Sequence, residues 1–497
     1  MTDSQERKVT QRNGKLDSGG NISRRDFISA SAMAAGALAL GGCGGTGESR
    51  RPPNFVFILA DDLGWRDVGF MGSRYYETPS LDRFAGQGMV FTDAYANAPN
   101  CAPTRASILT GRYSPRHGIL TVNSSERGRD YSRRLIPIEN KLFLDPDEIT
   151  VAELLRQAGY ETAAIGKWHL GEGPETGPLG QGFELNIGGY RAGMPKSYFS
   201  PYWNPELSDG PDGEYLTERL TDEAVGYLNS RTGSPFFLYL SYHVVHTPIQ
   251  PKPELVGKYR GKQPDGDQNN PDYAAMVEAL DTGVGRVLAA LDENGLADNT
   301  VVIFFSDNGG HRQFTDNSPL RGGKGTLYEG GIREPLVVRA PGVTTAGSSC
   351  STPVIGVDFL PTMLELAAVN APRAHLLDGE SIVPLLGGGD IQREAIYWHF
   401  PVYLEDWGYP DVRDPGWRAT PCSVIRCGRW KLIEYFEDWS VELFDLENDI
   451  GERNDLAGSH PDVRDRLRTM LQQWRKDIGA RIPTERNPSY DPGRASQ

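Results

Sequence analysis

Asn54-Phe-Val-Phe-Ile-Leu-Ala60, followed at once by Asp61-Asp62, is the stretch that sets the architecture. A continuous apolar run of strand length fits a strand buried on both faces of a sheet. Comparable runs lie at 236–242 (Phe-Phe-Leu-Tyr-Leu-Ser-Tyr) and 301–305 (Val-Val-Ile-Phe-Phe), and a weaker one at 162–165 (Thr-Ala-Ala-Ile). Between them, Val151 to Ala158, Leu220 to Asn229 and Tyr273 to Asn294 carry helical patterns. Strands alternating with helices predict an α/β fold, a large, mostly parallel sheet sandwiched by helices. Each run also ends in chemically useful residues: Asp61-Asp62, Lys167-Trp168-His169, His243 with His246, and Asp307-Asn308. Ligands of open α/β sheets bind outside the carboxyl ends of the strands, so these groups are expected at one edge.

The chain has 497 residues, enough for a large domain plus a smaller one. Its formal charge of -15 argues against a nucleic-acid partner, which asks for a basic face. An anionic substrate must then be drawn by a local basic pocket and not by the global field. Five cysteines in a chain of this length make no disulfide framework. Cys422 and Cys427, if on one extended strand, lie about 16 Å apart, too far to bridge. Cys350 reads as a structural thiol.

The N-terminus reads as a targeting segment. Ser23-Arg24-Arg25-Asp26-Phe27-Ile28 has the form of a twin-arginine export signal, and Ile28 to Leu40 is too short to span a bilayer. Leu40-Gly41-Gly42-Cys43 has the form of a lipoprotein box, with Cys43 lipidated; a plain cleaved signal is the alternative. The expected plan is a signal over 1–43, a linker over 44–51, a catalytic domain over 52–390, a small antiparallel α+β subdomain over 391–480 and an irregular tail over 481–497. In the subdomain, 423–426, 430–436 and 441–445 read as short strands and Asp462 to Ile478 as a closing helix.

Asp61, Asp62, Asp307 and Asn308 offer only oxygen ligands, which suits a hard divalent cation: Ca²⁺ first, Mg²⁺ as the runner-up. Cys101 precedes Pro103, and Pro favours the first turn of a helix. A side chain there would sit among free N–H groups that favour an anion and lower a thiol pKa. From the residues alone, Cys101 is a thiolate nucleophile, a modified cysteine or an inert buried thiol.

Cys101-Ala-Pro-Thr-Arg105, with Gly111 closing the run, resembles the core signature of the type I, formylglycine-dependent sulfatases, a family of the alkaline phosphatase superfamily that includes the arylsulfatases and N-acetylgalactosamine-6-sulfatases. Gly159-Tyr-Glu-Thr-Ala-Ala-Ile-Gly-Lys167-Trp-His169 resembles the second signature. His243-Val-Val-His246-Thr-Pro248 and Leu320-Arg-Gly-Gly-Lys324-Gly-Thr-Leu-Tyr-Glu-Gly-Gly-Ile-Arg333 follow in the family's order. The resemblance implies an alkaline-phosphatase-like fold and oxidation of Cys101 to formylglycine by a formylglycine-generating enzyme. It implies a cation held by Asp61, Asp62, Asp307, Asn308 and the modified residue 101. It assigns Arg105 to the aldehyde hydrate, Lys167, His246 and Lys324 to sulfate, and His169 to the formylglycine hydroxyl. His243 and His311 become candidate substrate contacts. Thr104 stands where Ser is more usual and keeps the hydroxyl.

The implied reaction is hydrolysis of a sulfate ester, with His246 or Lys324 as general acid and a sulfated carbohydrate as expected substrate. Trp203, Trp407 and Trp417 are candidate rim aromatics. The expected location is the periplasm or surface of a bacterium, lipid-anchored to the membrane. Two alternatives stand beside this reading: a phosphate or phosphonate monoester hydrolase of the same superfamily, and an inactive glycan-binding lipoprotein.

Overall fold

A computed structural model describes residues 51–495. The signal segment, Cys43 and most of the linker lie outside the described residues. Nine strands form the main sheet: β1 (Asn54–Ala60), β2 (Met89–Tyr95), β3 (Glu161–Gly166), β4 (Leu185–Ile187), β5 (Phe236–Ser241), β6 (Thr300–Ser306), β7 (Arg333–Arg339), β8 (Ser348–Cys350) and β9 (Val354–Ile355). Their order is β4-β3-β5-β1-β6-β7-β2-β8, with β9 beside the end of β2. Neighbours pair in parallel except around β7, which runs antiparallel to both β6 and β2.

The apolar runs are strands because both of their faces find cover. Along β1, Val56, Ile58 and Ala60 pack into one core, and Phe55, Phe57 and Leu59 into another. The first core takes helices Leu216–Asn229 and Pro271–Glu293; the second takes helices Cys101–Thr110, Val151–Gln157 and Phe359–Leu366. Helix starts follow local chemistry. Thr150 Oγ1 accepts from Glu153 N at 3.2 Å and Glu153 Oε2 from Thr150 N at 3.1 Å, a reciprocal capping box. Asn270 caps the helix that Pro271 opens.

The register fixes where the strands let go. Gly166 and Leu59 both lie opposite Ser241, and Leu59 opposite Phe305. Lys167, Asp61, Asp62 and Asp307 therefore leave the sheet within about two residues of one line. Gly166 (φ +99°) is required there, since a Cβ would meet the Ser241 carbonyl oxygen at 1.9 Å.

Beyond residue 391, β10 (Ala395–Phe400), β13 (Cys422–Cys427), β14 (Trp430–Tyr435) and β15 (Val441–Asp445) form an antiparallel sheet in that order, backed by helix Pro461–Asp477. β11 (Leu404–Glu405) and β12 (Trp417–Ala419) make a separate two-stranded piece. The core of this part also holds Tyr95 and Ile332. Trp398 Nε1 donates to the Ala96 carbonyl at 2.7 Å. Residues 51–495 thus form one compact unit, the smaller sheet sharing its core with the edge of the larger. Cys350, Cys422 and Cys427 are free, the last two at opposite ends of β13. Among the described residues no helix is long and apolar enough to cross a membrane.

Candidate active site

Cys101 is the first residue of a ten-residue helix buried along its whole length and closed by Gly111 in the left-handed region (φ 66°). The Thr104 hydroxyl ties down the preceding loop, accepting from Ala98 N at 3.2 Å and lying 3.3 Å from the Asn100 carbonyl. Its hydroxyl, the feature Thr shares with Ser, is the part in use. The Cys101 Sγ lies 3.5 Å from Asp61 Oδ1, 4.0 Å from Asp62 Oδ1 and 3.8 Å from Lys324 Nζ.

The surrounding charges are paired and largely buried. Lys167 Nζ sits 2.7 Å from Asp61 Oδ2, and Lys324 Nζ 2.7 Å from Asp62 Oδ2. His246 Nε2 lies 3.6 Å from Asp62 Oδ2, while its Nδ1 donates to the Thr247 carbonyl at 2.8 Å. That tautomer leaves Nε2 free to take and return a proton. Asp61, Asp62, Cys101 and His246 bring their ligand atoms within 4.8 Å of one another. Asp307 Oδ1 accepts from Asp62 N at 3.2 Å and its Oδ2 faces Arg105. Asn308 Nδ2 donates to Asp62 Oδ1 at 2.8 Å, and its buried Oδ1 has no partner.

Burial and like charge shape the acidities. Burial, then the neighbouring Asp307 carboxylate, pushes the Asp61 carboxyl well above its ordinary range despite Lys167. Burial also opposes ionisation of Asp62, but His246, Lys324 and Lys167 outweigh it and hold that carboxyl far below its usual range. Burial, followed by the cations Lys167 and Arg105, keeps His169 and His243 neutral.

The structure brings Asp61, Asp62, Cys101, Lys167, His246, Asp307, Asn308 and Lys324 together. Arg105 lies under this group. Its Nε donates to Asp307 Oδ2 at 2.8 Å, a group of the site itself, and a second nitrogen donates to the Lys167 carbonyl at 3.1 Å and to Ser241 Oγ. His169, with a left-handed φ of 62°, borders an adjoining cleft, and its Nδ1 has no partner. His243 is buried with an unpartnered Nδ1, and the Tyr198 hydroxyl donates to its carbonyl at 2.6 Å. His311 stacks on Trp407, ring centroids 4.5 Å apart at 10°, and burial pushes its imidazole down to about 3.

The rim aromatics divide. Trp203 is exposed in the cleft wall and Trp407 lies against His311, but Trp417 is only 8% exposed and packs on Tyr403 and Gly128. Trp417 is therefore a packing residue of β12 and not part of the rim.

Some positioning residues are not evident from motif reading. Tyr409 and Arg418 each donate to the Lys324 carbonyl at 3.2 Å, and the Arg418 guanidinium lies over the Trp407 ring. Asp67 braces the loop after Asp62, accepting from Gly64 N at 2.9 Å, Tyr273 Oη at 2.7 Å and Thr315 Oγ1 at 2.6 Å. Its place five residues after Asp62 was the available signal. Arg418 and Tyr409 gave none, since they come from the distant β11–β12 segment.

Comparison with known proteins places this geometry. The family described as Sulfatase matches residues 53–369, and that described as N-sulphoglucosamine sulphohydrolase, C-terminal, matches 323–477. A sulfatase of Formosa agariphila is 35% identical, with 86% of this chain and 89% of that protein covered. The N-acetylgalactosamine-6-sulfatase of Rattus norvegicus is 33% identical, with 86% of each covered. The crystal structure of Ps i-CgsB in complex with k-i-k-neocarrahexaose superposes with a TM-score of 0.73 at 30% identity, covering 88% of this chain and 95% of that one. The phosphonate monoester hydrolase of Agrobacterium radiobacter, 20% identical with a TM-score of 0.64, shares the fold. With a family match across the main sheet and relatives aligned over most of their length, the chain belongs to the type I sulfatases of the alkaline phosphatase superfamily and is a sulfuric ester hydrolase.

Proposed function

We infer that the protein removes sulfate from a sulfated carbohydrate, using formylglycine at position 101 and a divalent cation, Ca²⁺ before Mg²⁺. The observation that carries this reading is the setting of Cys101: a side chain at a helix start, within 4.0 Å of two carboxylates and a lysine. The sulfatases it resembles, among them an N-acetylgalactosamine-6-sulfatase and a carbohydrate-bound structure, support a sugar substrate.

The residues present fit a hard cation. Asp61, Asp62, Asp307 and Asn308 give oxygen donors, and the orphaned buried Oδ1 of Asn308 is the atom a cation would satisfy. The cation would polarise sulfate oxygens and help ionise a hydroxyl of residue 101. A hydrated aldehyde would supply one hydroxyl to attack sulfur as the S–O bond to the sugar breaks, and a second whose loss of a proton would expel sulfate and restore the aldehyde.

This chain's own residues do the rest. Lys167 and Lys324 carry fixed charge toward the sulfate oxygens, an electrostatic role in a dry site. His246, anchored through Nδ1, leaves its Nε2 to take the proton given up by a hydroxyl of residue 101 and pass it to the departing sugar oxygen. Arg105 keeps Asp307 and the end of β3 in place. The N-terminal motifs support an exported protein, lipid-anchored through Cys43 at the periplasmic or cell surface.

The test is the mass of the tryptic peptide Phe84–Arg105 from protein made with a formylglycine-generating enzyme, followed by assay on aryl and glycan sulfates. An aldehyde at 101 with sulfate release is expected. An intact thiol, or faster turnover of a phosphate or phosphonate ester than of the matched sulfate, would overturn the reading.

A further inference from the structure

Eight large apolar side chains stand exposed among the described residues, and four of them, Leu142, Phe143, Met194 and Trp203, line a single cleft. The cleft measures about 840 Å³ and opens beside the nucleophile, with Ala102 and His169 in its wall. That volume is at the upper end for small-molecule sites, far more than one sulfate needs. Scattered exposed apolar residues need no explanation, but their concentration in one concave surface marks a binding site.

The cleft is also basic on an acidic protein. Its lining holds Lys141, Arg191 and Lys196 against one carboxylate, Glu172, while the chain as a whole carries -15. Arg191 reaches Glu172 at 3.3 Å and Lys141 reaches Asp145 at 3.4 Å, both as half-exposed or exposed pairs. Such pairs contribute little and exchange readily for an anionic ligand. Lys196 is exposed and makes no ion pair among the described residues. Lys167, His246 and Lys324 already surround position 101, so these further cations face a different anion.

The third observation is conformational. Trp203 has φ 50°, in the left-handed region, and is 57% exposed. A bulky residue there is strained, and an indole left in water is a second cost. The second cost is removed when the flat face of a sugar covers the ring.

We propose that this cleft is a subsite for the sugar next to the one that loses sulfate, with Trp203 stacking on its face and Lys196 and Arg191 binding a second anionic group upon it. The substrate class is then an oligosaccharide charged on successive residues. This rests on the sulfatase reading and extends it.

The experiment uses the matured enzyme and its Lys196→Ala, Arg191→Ala and Trp203→Ala variants. Substrates are 4-nitrophenyl sulfate, neocarrahexaoses with and without sulfate on the flanking sugar, and chondroitin sulfate hexasaccharides, whose flanking anion is a carboxylate. Wild type is expected to prefer a hexasaccharide with a flanking anion at least tenfold in kcat/KM. Lys196→Ala and Trp203→Ala both lose that preference, mainly through KM, and leave 4-nitrophenyl sulfate turnover unchanged; Arg191→Ala loses part of it. Which hexasaccharide series shows the effect tells sulfate from carboxylate. A preference that survives both variants, or a loss shared equally by the aryl ester, overturns the subsite. Calorimetric titration of the Cys101→Ala variant with the same hexasaccharides reads the cleft without turnover. Absence of binding there overturns the subsite alone, whereas an enzyme that binds but hydrolyses no sulfate ester overturns the sulfatase reading.

Discussion

The Lys324 ammonium lies 2.7 Å from the Asp62 carboxylate, with side-chain exposures of 7% and 2%. A buried pair of this kind is costly to break because the remaining charge keeps its desolvation penalty. Lys324→Met is expected to lower stability by about 3–5 kcal/mol in the absence of added cation, read as a drop in Tm. It should also lower kcat on an aryl sulfate by about 10²–10³-fold, the usual loss when one oriented charge is removed. Added Ca²⁺ restores part of the Tm, because it neutralises Asp62, but none of the rate.

Asn308 gives a cleaner handle on the cation. Its Nδ2 supports Asp62, while its Oδ1 has no protein partner. Chelation of wild type should lower both activity and Tm, and Ca²⁺ at a hundredfold its Kd should return about 2.7 kcal/mol of stability. In Asn308→Ala the Ca²⁺-dependent rise in Tm should be smaller at every Ca²⁺ concentration. Equal rises in the two proteins would remove Asn308 from the ligand set.

Glu452 offers a pH signature outside the group of residues gathered around Cys101. It shares the fully buried Lys431 with Glu329, at 2.8 and 2.9 Å respectively. Burial, only partly offset by Lys431, pushes the Glu452 carboxyl up to about 7. A carboxyl raised on folding contributes stability below its unfolded pKa and loses it as pH rises through the folded value. Glu452→Gln should therefore gain Tm relative to wild type between about pH 4.5 and 7 and hold a constant advantage above that. A difference in Tm that stays flat with pH would count against the raised carboxyl.

Arg418 and Tyr409 are positioning residues for Lys324, whose carbonyl both reach at 3.2 Å. Tyr409→Phe removes one neutral hydrogen bond, about 1 kcal/mol, and should lower kcat only a few-fold. Arg418→Ala also strips the cation from Trp407, on which His311 stacks. It should lower kcat on 4-nitrophenyl sulfate about tenfold with KM little changed, and Arg418→Lys should recover only part, since an ammonium cannot stack as a guanidinium does.

Much of this arrangement was legible in the sequence. β1, β5 and β6 are continuous apolar runs, and their polar ends announce the site edge. β2 and β7 were not legible. β7 begins Arg333-Glu334, charges buried in the fold, so it reads as the end of the glycine-rich loop before it. β2 carries Thr92 and Asp93, the latter paired with Arg333 and Arg426, and looks like a loop until those partners are known. Trp203 and Trp417 are equivalent as sequence, aromatics among Pro and Gly. Only the three-dimensional path shows one facing a cleft and the other packed on Tyr403. Likewise the Cys101 signature names a nucleophile but says nothing of Arg418, 317 positions away.

Cys101 is 1% exposed, on a helix with no solvent-facing side. A modifying enzyme cannot grip such a segment in the finished protein, so the proposed conversion of the thiol to formylglycine would be confined to the time before the chain closes around it. The active fraction of any batch is then fixed at birth. Purified thiol-form protein incubated with a formylglycine-generating enzyme should stay inactive, while the same chain unfolded, treated and refolded should gain activity. Specific activity would then be a record of the cell that made the protein, and two preparations identical in gene and fold would differ in it by the fraction converted.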